Sequence, residues 1–165
     1  MADDSVLRSP GENQPGEATA PKEAGGSEAG GSEAGLSHVT TDKIRYADTD
    51  RQGHVNNAVF STFLETGRVE ILYDARARKH CHGASFVIAT LSLEYLSSLF
   101  WPGTVTIETK IARIGTSSIE LSQKVSQDGT LAATGRTVIV QVDNATEKAK
   151  PLSSGMREFL ARYQD

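Results

Sequence analysis

The run RYADTDRQGHVNN, residues 45–57, brings two carboxylates, an imidazole, a glycine and two adjacent carboxamides into one short stretch. Asp48 and Asp50 stand at the end of a strand-like run, and Asn56 and Asn57 stand where a helix-like run begins. A carboxylate beside a carbonyl carbon can attack it directly or take a proton from water, the latter contributing on the order of 10² to 10⁴ in rate. A helix start presents N–H groups without intrahelical partners and the positive end of the dipole. Such a place suits a carbonyl oxygen that gains negative charge under attack, and one well-placed donor there is worth roughly 10² to 10³ in rate. The corner therefore holds both parts that acyl chemistry needs. Asp, Asn and Gly are also the residues expected in turns and helix N-caps, so local hydrogen bonding is the competing account. One N-cap needs one short polar side chain, however, and several stand here.

These residues act only if the flanking elements hold them. HVTTDKIRY, His38 to Tyr46, alternates with Val39, Ile44 and Tyr46 as its larger apolar members, which predicts a strand. Phe60, Phe63, Leu64, Gly67, Ile71 and Ala75 recur at gaps of three and four, which predicts a long helix from Asn57 to the basic cluster Arg76, Arg78 and Lys79. Four strand-like runs follow, separated by Trp101-Pro102-Gly103, by Gly115 and by the hairpin signal Asp128-Gly129, and ending at Asp143-Asn144. Short connections between successive strands predict an antiparallel meander. Met156, Phe159, Leu160 and Tyr163 predict a last helix over 154–163. The pattern is an α+β domain with a single antiparallel sheet wrapped on one long helix.

Residues 1–37 are expected to form a disordered acidic tail rich in Gly, Ser, Glu and Ala, with EAGGSEAGGSEAG at Glu23–Gly35 as its repetitive part. With almost no large apolar side chains it cannot offset the entropy of ordering its backbone. A solvated spacer is the expected role, ahead of a tether to a partner, and its acidity and lack of an apolar core do not fit a targeting signal. No run approaches the roughly 20 apolar residues that span a bilayer. The net charge of -4 argues against a nucleic-acid partner, which would call for clustered Lys and Arg. Cys81 is the only cysteine, which excludes an internal disulfide and fits a cytoplasmic location.

The order of elements, together with Y-x-D-T-D-x-x-G-H-V-N-N at Tyr46 to Asn57, Glu65-Thr66-Gly67-Arg68 on the helix, Trp101-Pro102-Gly103 and Ile114-Gly115-Thr116-Ser117-Ser118, resembles the hotdog-fold acyl-CoA thioesterases of the 4-hydroxybenzoyl-CoA thioesterase type. The resemblance covers residues 38–162. It implies a hotdog fold, an antiparallel curved sheet around one central helix, and hydrolysis of an acyl-CoA to free acid and CoA. It assigns the nucleophile or general base to Asp50 and the oxyanion donor to the backbone N–H of Asn57, with Asp48 and Asn56 supporting. Family members carrying the acid on the helix make Glu65 the runner-up, although its spacing to Arg68 also permits an ordinary ion pair. Gly53 allows the turn or a close approach of the acyl group. His54 either contacts substrate, orients Asp50 or satisfies the turn backbone. The resemblance further implies a homodimer or a tetramer of dimers, with sheets made continuous and active sites at the interface.

Coenzyme A is expected as part of the substrate, with no bound cofactor. Arg51 and Arg113 are candidate phosphate contacts, Gly115, Ser117 and Ser118 candidates for the pantetheine channel, and Phe60 faces either the core or the acyl group. Lys79-His80-Cys81-His82 lacks common zinc spacing, and neither a nucleophile elbow nor a phosphate-binding glycine loop is present, so no metal is expected. Two rivals share the fold: an enoyl-CoA hydratase, whose Asn-Pro pair between Asp and His is missing from Asp50-Arg51-Gln52-Gly53-His54, and a non-catalytic acyl-CoA-binding module.

Overall fold

A computed structural model describes residues 35–164 of the chain. The expected tail of residues 1–37 thus lies outside the described residues except for its last three. Two of these donate backbone hydrogen bonds to the C-terminal segment, Gly35 to Gln164 O at 3.0 Å and Leu36 to Arg162 O at 3.1 Å.

Strand β1 (His38–Ile44) is followed by a 3₁₀ turn at Tyr46–Asp48, helix α1 (Asn57–Leu72), a single helical turn α2 (Ala75–Arg78), and strands β2 (Ala84–Tyr95), β3 (Gly103–Ile114), β4 (Ser118–Gln127) and β5 (Thr130–Asp143). Helix α3 (Ser154–Ala161) closes the chain. The five strands form one antiparallel sheet in the order β1-β3-β4-β5-β2, curved in the manner of the hotdog fold. Register slips at Ile88/Thr90, Ile111/Arg113 and Val125/Ser126 add local bend and twist to the curve.

Three sequence expectations need correction. The predicted meander holds for β3, β4 and β5, but β2 crosses to the far edge and pairs with β5, Leu93 opposite Gly135 and Thr137 opposite Leu91. Its connection to β3 is tied across the end of the β4–β5 hairpin rather than turned back as a hairpin of its own. Leu96 and Ser97 donate to Ala132 O at 2.8 and 3.1 Å, while the Gln127 carboxamide accepts from Phe100 N and donates to Phe100 O at 2.9 and 2.8 Å. The long helix stops at Leu72 because Asp74 caps a new turn, its Oδ1 accepting from Arg76 N at 2.7 Å. Hydrogen bonds from Arg76 hold the Asp74 carboxyl down at about 2. Tyr46 falls in the 3₁₀ turn instead of β1, because Asp48 Oδ2 accepts the Arg45 N–H at 2.7 Å and offers the backbone a local alternative to strand pairing.

Helix α1 seats its apolar face on the sheet, dividing the core in two. Phe60, Phe63 and Leu64 pack with Ile107, Val125 and Ala133, whereas Ile71 and Leu72 pack with Ile111, Leu121, Met156 and Leu160. Between the two clusters lies a polar tie: the buried Gln123 carboxamide donates to Leu64 O at 2.8 Å and to Thr109 Oγ1 at 3.0 Å. Gly67 sits directly over it. A Cβ at this position would stand 2.5 Å from Thr109 Oγ1, 2.8 Å from Ile107 Cγ2 and 3.0 Å from Gln123 Nε2.

In an open helix Gly→Ala stabilises by roughly 0.5–1 kcal/mol, whereas overpacking a core costs about 1–3 kcal/mol. At Gly67 the second effect wins. Gly67→Ala is expected to lower the thermal midpoint by several degrees in a calorimetric or circular-dichroism melt, reversing the usual sign of the substitution.

Candidate active site

The corner between β1 and α1 is held by backbone–backbone hydrogen bonds reinforced by side-chain to backbone ones. Asp50 Oδ1 accepts from Gln52 N at 2.8 Å and His54 N at 3.3 Å, while Asp50 N donates to His54 O at 2.8 Å. Its Oδ2 accepts no hydrogen bond from the described residues. Gly53, at φ +81°, supplies the left-handed residue that closes this tight loop, and its N–H donates to Asp50 O at 3.0 Å. Val55 donates to Leu99 O at 2.9 Å and Asn56 to Asp48 O at 2.8 Å, which fastens the loop to the β2–β3 connection and to the 3₁₀ turn.

At the start of α1, Asn56 is the N-cap, its Oδ1 accepting from Ala58 N at 2.9 Å and its carbonyl from Val59 N at 2.9 Å. The N–H of Asn57 is left without an acceptor among the described residues. Asn57 itself lines a cleft of about 330 Å³, together with Asp50, Gln52, His54, Val55, Phe60, Tyr95, Leu96, Ser97 and Ser98. A carboxylate and an unpaired helix-start donor therefore share one cavity, with Val55 and Phe60 as its buried apolar floor. The His54 ring is held edge-on to Phe100, with centroids 5.2 Å apart.

The other residues singled out by sequence are distributed unevenly. Asp48 and Asn56 brace the corner from behind through the bonds just described. Arg51 is exposed at the tip of the loop and does not line the cleft. Glu65 is on the outer side of α1, its Oε1 3.8 Å from Arg68 Nη2, the ion pair its spacing permits. Arg113 pairs with Glu120 at 3.7 Å beside the β3–β4 turn. Gly115, Ser117 and Ser118 form that turn, Gly115 N donating to Ser118 O at 2.8 Å and Gly115 O accepting from Arg157 Nη1 at 2.6 Å. None of these four lines the cleft within a single chain. The structure instead brings in Tyr95 and the 96–98 segment, which sequence reading passed over because they sit at the end of a strand nearly 40 residues from the corner. Among the described residues no group of three His, Cys, Asp or Glu side chains is placed to hold a metal ion.

The family model of the thioesterase-like superfamily matches residues 44–160, which takes in the corner, α1, the whole β2–β5 run and nearly all of α3. The chain belongs to the thioesterase-like superfamily. It is a thioester hydrolase. Among its relatives, the long-chain acyl-CoA thioesterase FadM of Escherichia coli (strain K12) is 28% identical over 125 residues, covering 73% of this chain and 95% of that protein. A predicted thioesterase from Bacillus stearothermophilus superposes with a TM-score of 0.71 at 27% identity, covering 79% of this chain and 98% of that one. The DHNA-CoA thioesterase of Staphylococcus aureus shares the fold, with a TM-score of 0.67 at 23% identity over 77% of this chain and 88% of that one.

In this thioesterase-superfamily chain the N-cap carries a stability signature separable from its chemistry. Asn56→Ala is expected to cost about 1 kcal/mol in denaturant unfolding, whereas Asn56→Asp, which caps equally well, is expected to stay within a few tenths.

Proposed function

We propose that this hydrolase cleaves an acyl-CoA to the free acid and CoA, with Asp50 as nucleophile or general base and the Asn57 N–H as oxyanion donor. The observation that carries the reading is the shared cleft: it is lined both by Asp50 and by Asn57, whose N–H has no acceptor among the described residues. Asp50 Oδ1 is spent on holding the loop, which fixes the carboxylate and leaves Oδ2 for chemistry. As a base, Oδ2 takes a proton from water while the oxygen of that water bonds to the carbonyl carbon. Negative charge then moves to the carbonyl oxygen, where the Asn57 N–H and the helix dipole stabilise it. Collapse of this intermediate breaks the carbon–sulfur bond, and the departing CoA thiolate takes up the proton. As a nucleophile, Oδ2 would form a mixed anhydride that water then opens, with the same net reaction.

The acyl class follows the relatives rather than the cleft. The long-chain activity named for the Escherichia coli relative makes long-chain acyl-CoA the first substrate to try. The buried Phe60 forms the apolar floor that such a chain would meet. No helix of the described residues is long and apolar enough to cross a membrane, and the single cysteine fits the reducing cytoplasm.

We further propose that the chain is a homodimer, or a tetramer of dimers, joined through β2. This edge strand leaves residues 87–92 exposed, with Val87, Ile88 and Leu91 38–48% accessible. A long apolar edge is a template for pairing with another strand. Arg68 points to the same need: its guanidinium is buried, burial pulls its pKa down, and Nη1 has no hydrogen-bond partner. An acceptor from a second chain would complete it.

Thiol release from short, long and aromatic acyl-CoAs is the direct test. Asp50→Asn is expected to reduce kcat by at least about 10²-fold, while Glu65→Gln should stay within a few fold of wild type. Equal losses in both variants would move the acid to the helix. Light scattering at micromolar concentration is expected to give a dimer or tetramer, with Leu91→Lys shifting it toward monomer; a wild-type monomer would remove the edge-pairing proposal.

A further inference from the structure

Tyr95 ends the edge strand β2, far from the corner in sequence, yet its hydroxyl donates to the carbonyl of Asn57 at 3.2 Å. Its ring stands edge-on to Phe60, with centroids 5.1 Å apart, and lines the cleft that holds Asp50. The hydrogen bond falls on an informative peptide. The unit joining Asn57 to Ala58 has its N–H taken by the Asn56 side chain at 2.9 Å and its C=O taken by Tyr95. The preceding unit, joining Asn56 to Asn57, has its C=O fixed by Val59 N at 2.9 Å, and its N–H is left without an acceptor among the described residues at a residue that lines the cleft. Both peptides around Asn57 are thus clamped, and the sole uncommitted donor is the one the reaction needs.

We infer that Tyr95 is a positioning residue of the oxyanion site, holding the first turn of α1 so that the Asn57 N–H keeps its aim as charge develops on the substrate. The inference rests on the hydrolase reading above. Helix starts fray and their donors wander, so a site built on the first free N–H needs a restraint from outside the helix. The restraint comes from a side chain that is 48% exposed, so core burial does not account for its placement. A hydroxyl held against the helix start does account for it. Because β2 is also the edge proposed for pairing with a second chain, the same strand would tie assembly to the geometry of the donor.

The experiment compares the full-length wild type with Tyr95→Phe, which keeps the ring on Phe60 and removes only the hydroxyl. Tyr95→Phe is expected to lower kcat for the best acyl-CoA roughly 3- to 10-fold, the rate equivalent of one neutral hydrogen bond, with KM within twofold. Thermal midpoint and assembly should be unchanged. Amide hydrogen exchange at Ala58 and Val59, the first-turn amides that donate to Asn56 at 2.9 Å, followed by NMR without substrate, is expected to accelerate in the variant by a similar factor. Wild-type kcat in Tyr95→Phe, or unaltered exchange at these two amides, overturns the inference while leaving Asp50 chemistry intact. Absence of thiol release by the wild type would instead sink the acyl-CoA reading, and the exchange measurement would still decide whether Tyr95 clamps the helix start.

Discussion

Helix α1 lies on the sheet at a separation that only a glycine permits, and much else in the domain depends on that contact. With no side chain at Gly67, Thr109, Ile107 and Gln123 come up against the helix backbone, and Gln123 reaches Leu64 O. The contact is polar as well as close, so it fixes the helix along its axis as well as its depth. A helix anchored at mid-length has its start fixed relative to the strands some 10 residues away. Were α1 to ride higher on bulkier residues, Asn57 would no longer line the cleft with Asp50. Packing at one glycine thereby becomes geometry at a site three helical turns distant.

The corner shows how one set of residues can serve both turn and chemistry. The turn-and-cap reading of the sequence and the catalytic one are both present in the geometry, at different atoms. Asp50 uses one carboxylate oxygen to hold Gln52 and His54, and Asn56 uses its side-chain oxygen to cap α1. What remains uncommitted is one carboxylate oxygen and one backbone N–H. Local hydrogen bonding is in this sense the means by which the proposed groups are held ready, since a carboxylate on a loose loop would lose its orientation to solvent. His54 belongs to the same scheme. Its backbone is bonded on both sides to Asp50, and its ring is braced by Phe100.

The two edges of the sheet are treated differently. β1 carries alternating polar residues, with His38 and Thr40 bonded to Glu70 of the helix. β2 instead leaves the apolar side chains of Val87, Ile88 and Leu91 exposed. Long antiparallel edges of this kind are either blunted or used, and the end of β2 at Tyr95 is where that edge meets the cleft.

How far the sequence reaches can be judged from particular elements. The strand, helix and strand run, the turn at Asp128-Gly129 and the chemical corner were all legible, because alternation, gaps of three and four, and turn residues act within a few positions of one another. The helix start at Asn57 was legible for the same reason: an N-cap is a local bond. Where the chain had a choice between distant partners, local signals gave no guide. That β2 pairs with β5, and not with β3, is settled by the Gln127 and Ala132 bonds to the connection, which join residues some 27 to 36 positions apart. Tyr95 stood unremarked in a strand, since nothing near it in sequence points to Asn57. Arg113 and the Gly115 turn looked like neighbours of the site only through the family pattern, and within one chain the sheet carries them away from the cleft. The sequence by itself determined the groups that can do the chemistry and the elements that carry them. The tertiary structure decided which of those groups share a cavity, because that depends on strand order and helix depth, both set by contacts between residues far apart in the chain.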